Sequence, residues 1–118
     1  MFLAAYEKIL DNLRLGAEKA LGDDLENEDI ARSVSFCDMR FGDIATNVAL
    51  QQAKEAGRNP RDLAEAIVSE LQKLDTFASA EVAGPGFVNI RLHEADYIQL
   101  LHELKPGFFR TERERDDG

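Results

Sequence analysis

The amino-acid sequence predicts an α+β domain of two layers, with helices packed on one face of a small, mainly antiparallel sheet. Three observations support this fold class. Apolar residues recur at helical spacing in four segments, shorter stretches between them alternate apolar and polar residues as strands do, and a Gly-Pro-Gly turn joins two such stretches. A chain of 118 residues can form one core, but not a core and a separate catalytic lobe.

The first third of the chain is predicted to form a helix, a loop and a short strand. An amphipathic helix starts near Phe2 and ends near Gly22. The acidic stretch Asp23–Asp29 is expected to be a solvated loop, since it lacks the central glycine and the regular oxygen ligands of a calcium loop. Ser33–Cys37 alternates as a strand does, and Met39–Asp43 is then expected to turn the chain.

Two helices are predicted in the centre of the chain. Asp43 is the expected N-cap of the first, whose apolar spacing runs from Ile44 to a terminating glycine, Gly57. The second has two strong start signals, Asn59 at the N-cap and Pro60 at the first helical position. These signals predict a helical pair separated by a very short connection.

A β-hairpin follows, with a strand over Phe77–Ala83 and a turn made of Gly84, Pro85 and Gly86. Proline at the second turn position and glycine at the third suit a type II turn, which requires positive φ at the third residue. Gly86 is therefore expected to have positive φ.

A last helix is predicted over Glu94–Leu104, ended by Pro106 and Gly107. The residues beyond it are charged and aperiodic. We expect one domain over residues 1–105 and a disordered tail over residues 106–118.

The second strand of the hairpin has two different faces, because strand side chains alternate. Its apolar side chains, which are expected in the core, are Val88, Ile90 and Leu92. Phe87, Asn89 and Arg91 share the other face, which the predicted sheet leaves open. An aromatic ring, an amide and a guanidinium together can stack on a base, read its edge and hold its phosphate. Half-exposed strands also carry such residues for solubility alone, so both interpretations stand at this point.

The net charge of −9 is unusual for a nucleic-acid-binding protein. The charge is unevenly distributed, however. Residues 1–30 hold three Lys or Arg against eight Asp or Glu, whereas residues 31–60 hold four against three. This distribution leaves room for a local basic surface, whose candidate members are Arg40, Lys54, Arg58, Arg61 and Arg91. Arg40 lies next to the Phe-Gly-Asp turn and is a further candidate for contact with a backbone phosphate.

The sequence gives no positive case for catalysis, for a metal or for a cofactor. Cys37 is the only cysteine, which excludes an internal disulfide or a zinc site of several thiolates. His93 and His102 have no carboxylate or thiolate at ligand spacing. No phosphate-loop motif occurs, and no run of about 18 apolar residues could span a membrane. A cytosolic protein with no membrane partner is expected.

Three motifs occur in an order that resembles one known family. They are a GD-x-x-x-N segment from Gly42, an NP-x-x-LA segment from Asn59 and a GPGF-[IV]-N hairpin from Gly84. In this order they closely resemble the N-terminal additional domain of arginyl-tRNA synthetases. The resemblance covers roughly residues 1–105 and is most specific in its second half.

The resemblance implies an α-β-β-α-β-β type of domain that binds the elbow of tRNA at the D-loop. It implies that Phe87 and Asn89 contact D-loop bases, and that the partner is tRNA, specifically arginine tRNA. The His-x-Gly-His motif of the catalytic domain is not found in this chain, so no ligase activity is expected of it alone. The chain is then either a fragment, with the rest of a synthetase as its partner, or a free-standing relative. A different function is also open: a protein-interaction domain whose acidic surface binds a basic partner.

Overall fold

A computed structural model of the chain describes residues 4–36 and 43–104. The elements in these ranges are α1 (Ala4–Leu21), α2 (Asn27–Ser33), β1 (Val34–Phe36), β2 (Ile44–Thr46), α3 (Val48–Ala56), α4 (Pro60–Gln72), β3 (Phe77–Ala83), β4 (Phe87–Leu92) and α5 (Glu94–Leu104). α4 packs on β3 and β4, while α1 and α3 pack on α4. The predicted fold class, helices on one face of an antiparallel sheet, is confirmed.

The sheet has the strand order β1-β2-β4-β3, and every neighbouring pair is antiparallel. β4 is therefore an inner strand. Ile90 at its centre pairs with Ile44 of β2 on one side and with Ala80 of β3 on the other. The largest fully buried side chains join this face to the helices and include Leu13, Ile30, Ile44, Leu63, Ile67, Leu71 and Ile90. Burying each such side chain contributes about 1.5–3 kcal/mol.

The start of α4 forms as its local sequence predicts. The Asn59 side-chain oxygen accepts hydrogen bonds from the backbone N–H groups of Arg61, at 2.9 Å, and Asp62, at 3.2 Å. Pro60 occupies the first turn, where its missing N–H costs nothing. The predicted end of α3 is also confirmed, because Gly57 has a left-handed φ of 67°.

The predicted start of the preceding helix is wrong. Ile44–Thr46 form strand β2, and α3 begins only at Val48, whose N–H donates to the Thr46 hydroxyl at 3.1 Å. Asp43 is not an N-cap. Its carboxylate accepts from the N–H of Leu92 at 2.6 Å and so continues the pairing with β4. β-branched residues that fill an inner strand are stabilised by both neighbouring strands, which outweighs their local helical spacing.

The acidic segment Asp23–Asp29, predicted as a loop, contains the start of helix α2. The chain leaves α1 at Leu21, and the N–H of Leu25 donates to the Glu18 carboxylate at 2.8 Å, which holds the connection against α1. Ile30 then anchors α2 in the core with no exposed surface. Glu28 and Asp29 lie in the first turn of this helix, where negative charge is favourable.

The hairpin turn is present, but the expected φ at Gly86 is wrong. The residue with positive φ is Gly84, at 57°. Gly84 precedes proline, which disfavours the right-handed helical region for it, and glycine alone adopts the left-handed alternative without strain. Gly86 is constrained by close packing instead: a Cβ there would lie 3.0 Å from Cβ of Pro60 and 3.2 Å from Cγ of Leu50.

The two ends of the described chain are joined by Glu103. Its carboxylate accepts from the N–H of Ala5 at 2.8 Å and from that of Tyr6 at 3.0 Å. These amides belong to the first turn of α1, where helices lack partners for their N–H groups. A salt bridge of 3.3 Å between Lys8 and Asp96 adds a second link between α1 and α5.

The pKa of Glu103 makes this link dependent on pH. Partial burial raises that pKa, whereas the hydrogen bonds from Ala5, Gln99 and Tyr6 lower it. The hydrogen bonds outweigh burial, so the pKa lies below the ordinary value. A lowered pKa in the folded state stabilises the fold above the ordinary pKa, and this stabilisation is lost as pH falls through the folded-state value. We predict that Glu103→Gln lowers stability at pH 7 by about 0.5–1 kcal/mol, as expected for weakening a helix cap.

Thermal unfolding of the parent and Glu103→Gln, measured from pH 7 to pH 3, tests this prediction. The difference in Tm should shrink as the pH falls. Glu26→Gln is the control, because Glu26 precedes α2 without making a side-chain cap hydrogen bond. A Glu103→Gln difference that stays constant with pH would show that the carboxylate charge does not stabilise α1.

The close approach at Gly86 gives a second prediction. Gly86→Ala should destabilise the fold by about 1–3 kcal/mol, since the added methyl group overpacks the contact with Pro60 and Leu50. Urea unfolding at equilibrium measures this change. If Gly86→Ala unfolds at the same urea concentration as the parent, the turn does not pack against α4 as described.

Candidate nucleic-acid interface

The candidate site lies on the face of the sheet away from the helices, and β4 supplies its centre. The predicted alternation along β4 is confirmed by burial: Val88 and Ile90 have no exposed surface, whereas Phe87 is 40% exposed. Asn89 is half-buried and Arg91 is exposed. The structure therefore places all three predicted β4 residues on one face.

The side chains around Phe87 and Asn89 are mostly short. Phe87 pairs with Ala83 of β3, and Asn89 lies between Ala45 of β2 and Glu81 of β3. With short neighbours, 40% of Phe87 remains exposed on the sheet surface. A flat base could lie on this ring with its edge toward the Asn89 amide and the Glu81 carboxylate.

The hairpin turn brings a second cation to the Phe87 end of the face. A guanidinium N–H of Arg61, in the first turn of α4, donates to the backbone oxygen of Gly84 at 2.5 Å. Gly84 also lies against Phe87, since a Cβ built on Gly84 would be 3.8 Å from a ring carbon of Phe87. Arg61 is one of the candidate members of the basic surface predicted from the sequence, but no local spacing connects it with a turn 23 residues away.

Arg91 lies at the opposite end of the same face and pairs with Ser79 of β3. Arg40, the other cation predicted to contact phosphate, falls outside the described residues, as does Cys37. The structure thus describes three of the four predicted tRNA contacts, Phe87, Asn89 and Arg91.

The basic surface proposed from the sequence is not assembled as one patch. A guanidinium N–H of Arg58 donates to the backbone oxygen of Ala20 at 2.6 Å, at the C-terminal end of α1. There it helps to line a groove of about 570 Å³ whose acidic members are Asp23, Asp24, Asp29 and Glu55. Arg58 and Arg61 therefore belong to different surfaces, one acidic and one next to Phe87.

Within residues 4–36 and 43–104, no group of three or more His, Cys, Asp or Glu side chains is placed to hold a metal ion. The ring of His93 makes a 2.8 Å hydrogen bond with the backbone oxygen of Asp75, which gives this histidine a structural contact. No helix in the same ranges is long and apolar enough to cross a membrane.

Residues 7–92 match the family model described as the arginyl tRNA synthetase N terminal domain. The chain belongs to this family. The match to the arginyl-tRNA synthetase N-terminal domain includes the turn, Arg61 and all of β4. It ends at Leu92, so that α5 lies beyond it.

Curated proteins of the same family are about half identical to this chain over part of its length. The arginine–tRNA ligase of Novosphingobium aromaticivorans is 51% identical over 67 residues, which cover 53% of this chain and 12% of that protein. The arginine–tRNA ligase of Paracoccus denitrificans is 52% identical over 64 residues, which cover 54% of this chain and 11% of that protein. The chain thus spans about an eighth of the length of these relatives or less.

A solved structure shows the same fold. The crystal structure of arginyl-tRNA synthetase from Plasmodium falciparum matches 83% of this chain and 18% of that one, with a TM-score of 0.63 and 20% sequence identity. At this identity the likeness supports the architecture of an arginyl-tRNA synthetase N-terminal domain and not the role of any single residue.

Proposed function

We propose that this domain is a non-catalytic module that binds tRNA at its elbow through the D-loop. The observation that carries the proposal is the exposed Phe87 ring beside Asn89, on the open face of a domain of the arginyl-tRNA synthetase N-terminal family. The partners would be arginine tRNA and the remainder of a synthetase, which would carry out the ligase reaction in the cytoplasm.

The chemistry of the face suits an RNA loop better than an RNA duplex. Sequence-specific proteins bind bases that are unstacked in loops, because the major groove of an RNA helix is too narrow for side chains. Phe87 offers a surface on which one such base can stack, a contact that contributes about 1–3 kcal/mol. Asn89 can donate and accept hydrogen bonds at the base edge, which gives sequence discrimination.

Cations would position the RNA on this face. Arg91 would contact the phosphate backbone at one end of β4, and Arg40 remains a further candidate outside the described residues. Phosphate contacts fix the register of the RNA without reading its sequence. Four of the carboxylates that contribute to the net charge of −9 line a separate groove, which includes Glu55 of α3.

That groove favours a second candidate function. Its acidic side chains surround an apolar lining that includes Leu21, Leu25 and Ala56. A basic protein segment would complement both the charge and the apolar surface. On this alternative the domain keeps the fold and binds a protein through the groove, and the β4 face is not an RNA site.

A tRNA titration at low salt separates the two functions. Phe87→Ala should weaken binding of unmodified arginine tRNA by about 1–3 kcal/mol, or roughly 5- to 150-fold, because the stacking surface is lost. Its melting temperature should change little, since the ring lies on the open face. Leu15→Ala is the matched control, since Leu15 is 41% exposed on α1, away from the sheet.

Val88→Ala tests the opposite face of β4, where Val88 is buried. It should lower stability by up to about 3 kcal/mol through cavity formation, while the folded fraction binds tRNA as the parent does. If the parent binds no tRNA at low salt, or if Phe87→Ala binds as tightly as the parent, the protein-binding alternative is favoured instead.

A further inference from the structure

We infer that Arg61 is the phosphate contact for the nucleotide that stacks on Phe87, an inference that rests on the proposed binding of tRNA. The ligand at this position would be the sugar-phosphate backbone of a single-stranded RNA loop. Arg61 would act together with Phe87 as one site at the hairpin turn, formed by the start of α4 and the start of β4.

The first support is the position of the Arg61 guanidinium. It donates to the backbone oxygen of Gly84 at 2.5 Å, and Gly84 is the residue against which the Phe87 ring lies. This hydrogen bond holds the guanidinium at the hairpin turn that precedes Phe87. A guanidinium has five N–H donors, of which the Gly84 oxygen takes one, and the side chain of Arg61 is 54% exposed. Its planar shape suits contact with two phosphate oxygens at once.

The second support is the distance of the other cation from Phe87. Arg91 lies four residues farther along β4, which corresponds to about 13 Å in an extended strand. For a nucleotide whose base stacks on Phe87, the turn therefore offers a nearer phosphate contact than the Arg91 position does. The two arginines would contact different nucleotides, one at each end of the face.

The Arg61 guanidinium is not strongly bound by the charged group next to it on α4. The Glu65 carboxylate lies 3.8 Å from Nε of Arg61, but both side chains are more than half exposed, and such an ion pair is weak in water. The backbone N–H groups at the start of α4 are not the anion site, because the Asn59 side chain already accepts from two of them. The guanidinium is the group that remains available for phosphate.

Arg61 could instead serve only to fasten the turn to α4. The salt dependence of binding distinguishes the two roles, because each phosphate contact releases counterions and a fastening hydrogen bond does not. Arg61→Gln removes the charge and leaves an N–H donor on a shorter side chain. Arg61→Lys keeps the charge. Arg58→Gln is the matched control, since Arg58 also donates to a backbone oxygen but lies beside the acidic groove.

The experiment measures the Kd of the 118-residue chain for unmodified arginine tRNA by fluorescence anisotropy between 50 and 200 mM salt. For Arg61→Gln, the slope of log Kd against log salt should fall by about 0.7–0.9, the value for one phosphate contact, and binding at the lowest salt should weaken about three- to tenfold. Arg61→Lys should retain most of the slope, and Arg58→Gln should match the parent.

Three results would overturn the inference, and each has a different cause. If Arg61→Gln keeps the parental slope while Phe87→Ala weakens binding, the domain binds tRNA but Arg61 does not contact phosphate. If Arg61→Gln weakens binding with an unchanged slope and a lower Tm, Arg61 only fastens the turn. If the parent itself does not bind tRNA, the proposed function fails, and this inference fails with it.

Discussion

The contact between the hairpin turn and the start of α4 determines where the open face lies. Gly86 packs so closely on Pro60 and Leu50 that a Cβ at this position would require these neighbours to shift. β4 follows this turn and is an inner strand, with β2 and β3 on its two sides. The strand period of two then assigns every β4 side chain to the core or to the surface. Phe87, the first residue after Gly86, accordingly lies on the surface, and Val88 lies in the core.

The elements that sequence reasoning predicted correctly are those whose signals are local. Asn59 and Pro60 stand next to the helix they start, and alternation along β4 separates its two faces without reference to other strands. The start of α3 was missed because Ile44–Thr46 become a strand only by pairing with β1 and β4. The family resemblance implied two strands in this region, which agrees with the structure, whereas the spacing of the apolar residues favoured a helix.

The parts of the site that could not be predicted depend on contacts between distant residues. Arg61 reaches Gly84 because α4 begins beside the hairpin turn, a proximity that no spacing in the sequence reveals. Arg58, three residues earlier, is held instead at the end of α1 by the oxygen of Ala20. These two arginines thus contribute to different surfaces. The fold by itself does not specify a function, and the case for RNA binding depends on which side chains it gathers around Phe87.

The most direct test of the account is to map the bound tRNA on the domain by NMR. The 118-residue chain, labelled with ¹⁵N, would be titrated with unmodified arginine tRNA at low salt and its backbone amide shifts followed. The account predicts that the largest changes occur at the hairpin turn and along β4, from Gly84 to Arg91, and at Arg61. Changes concentrated around the acidic groove, at Asp23, Asp24 and Glu55, or no changes at any amide, would contradict it.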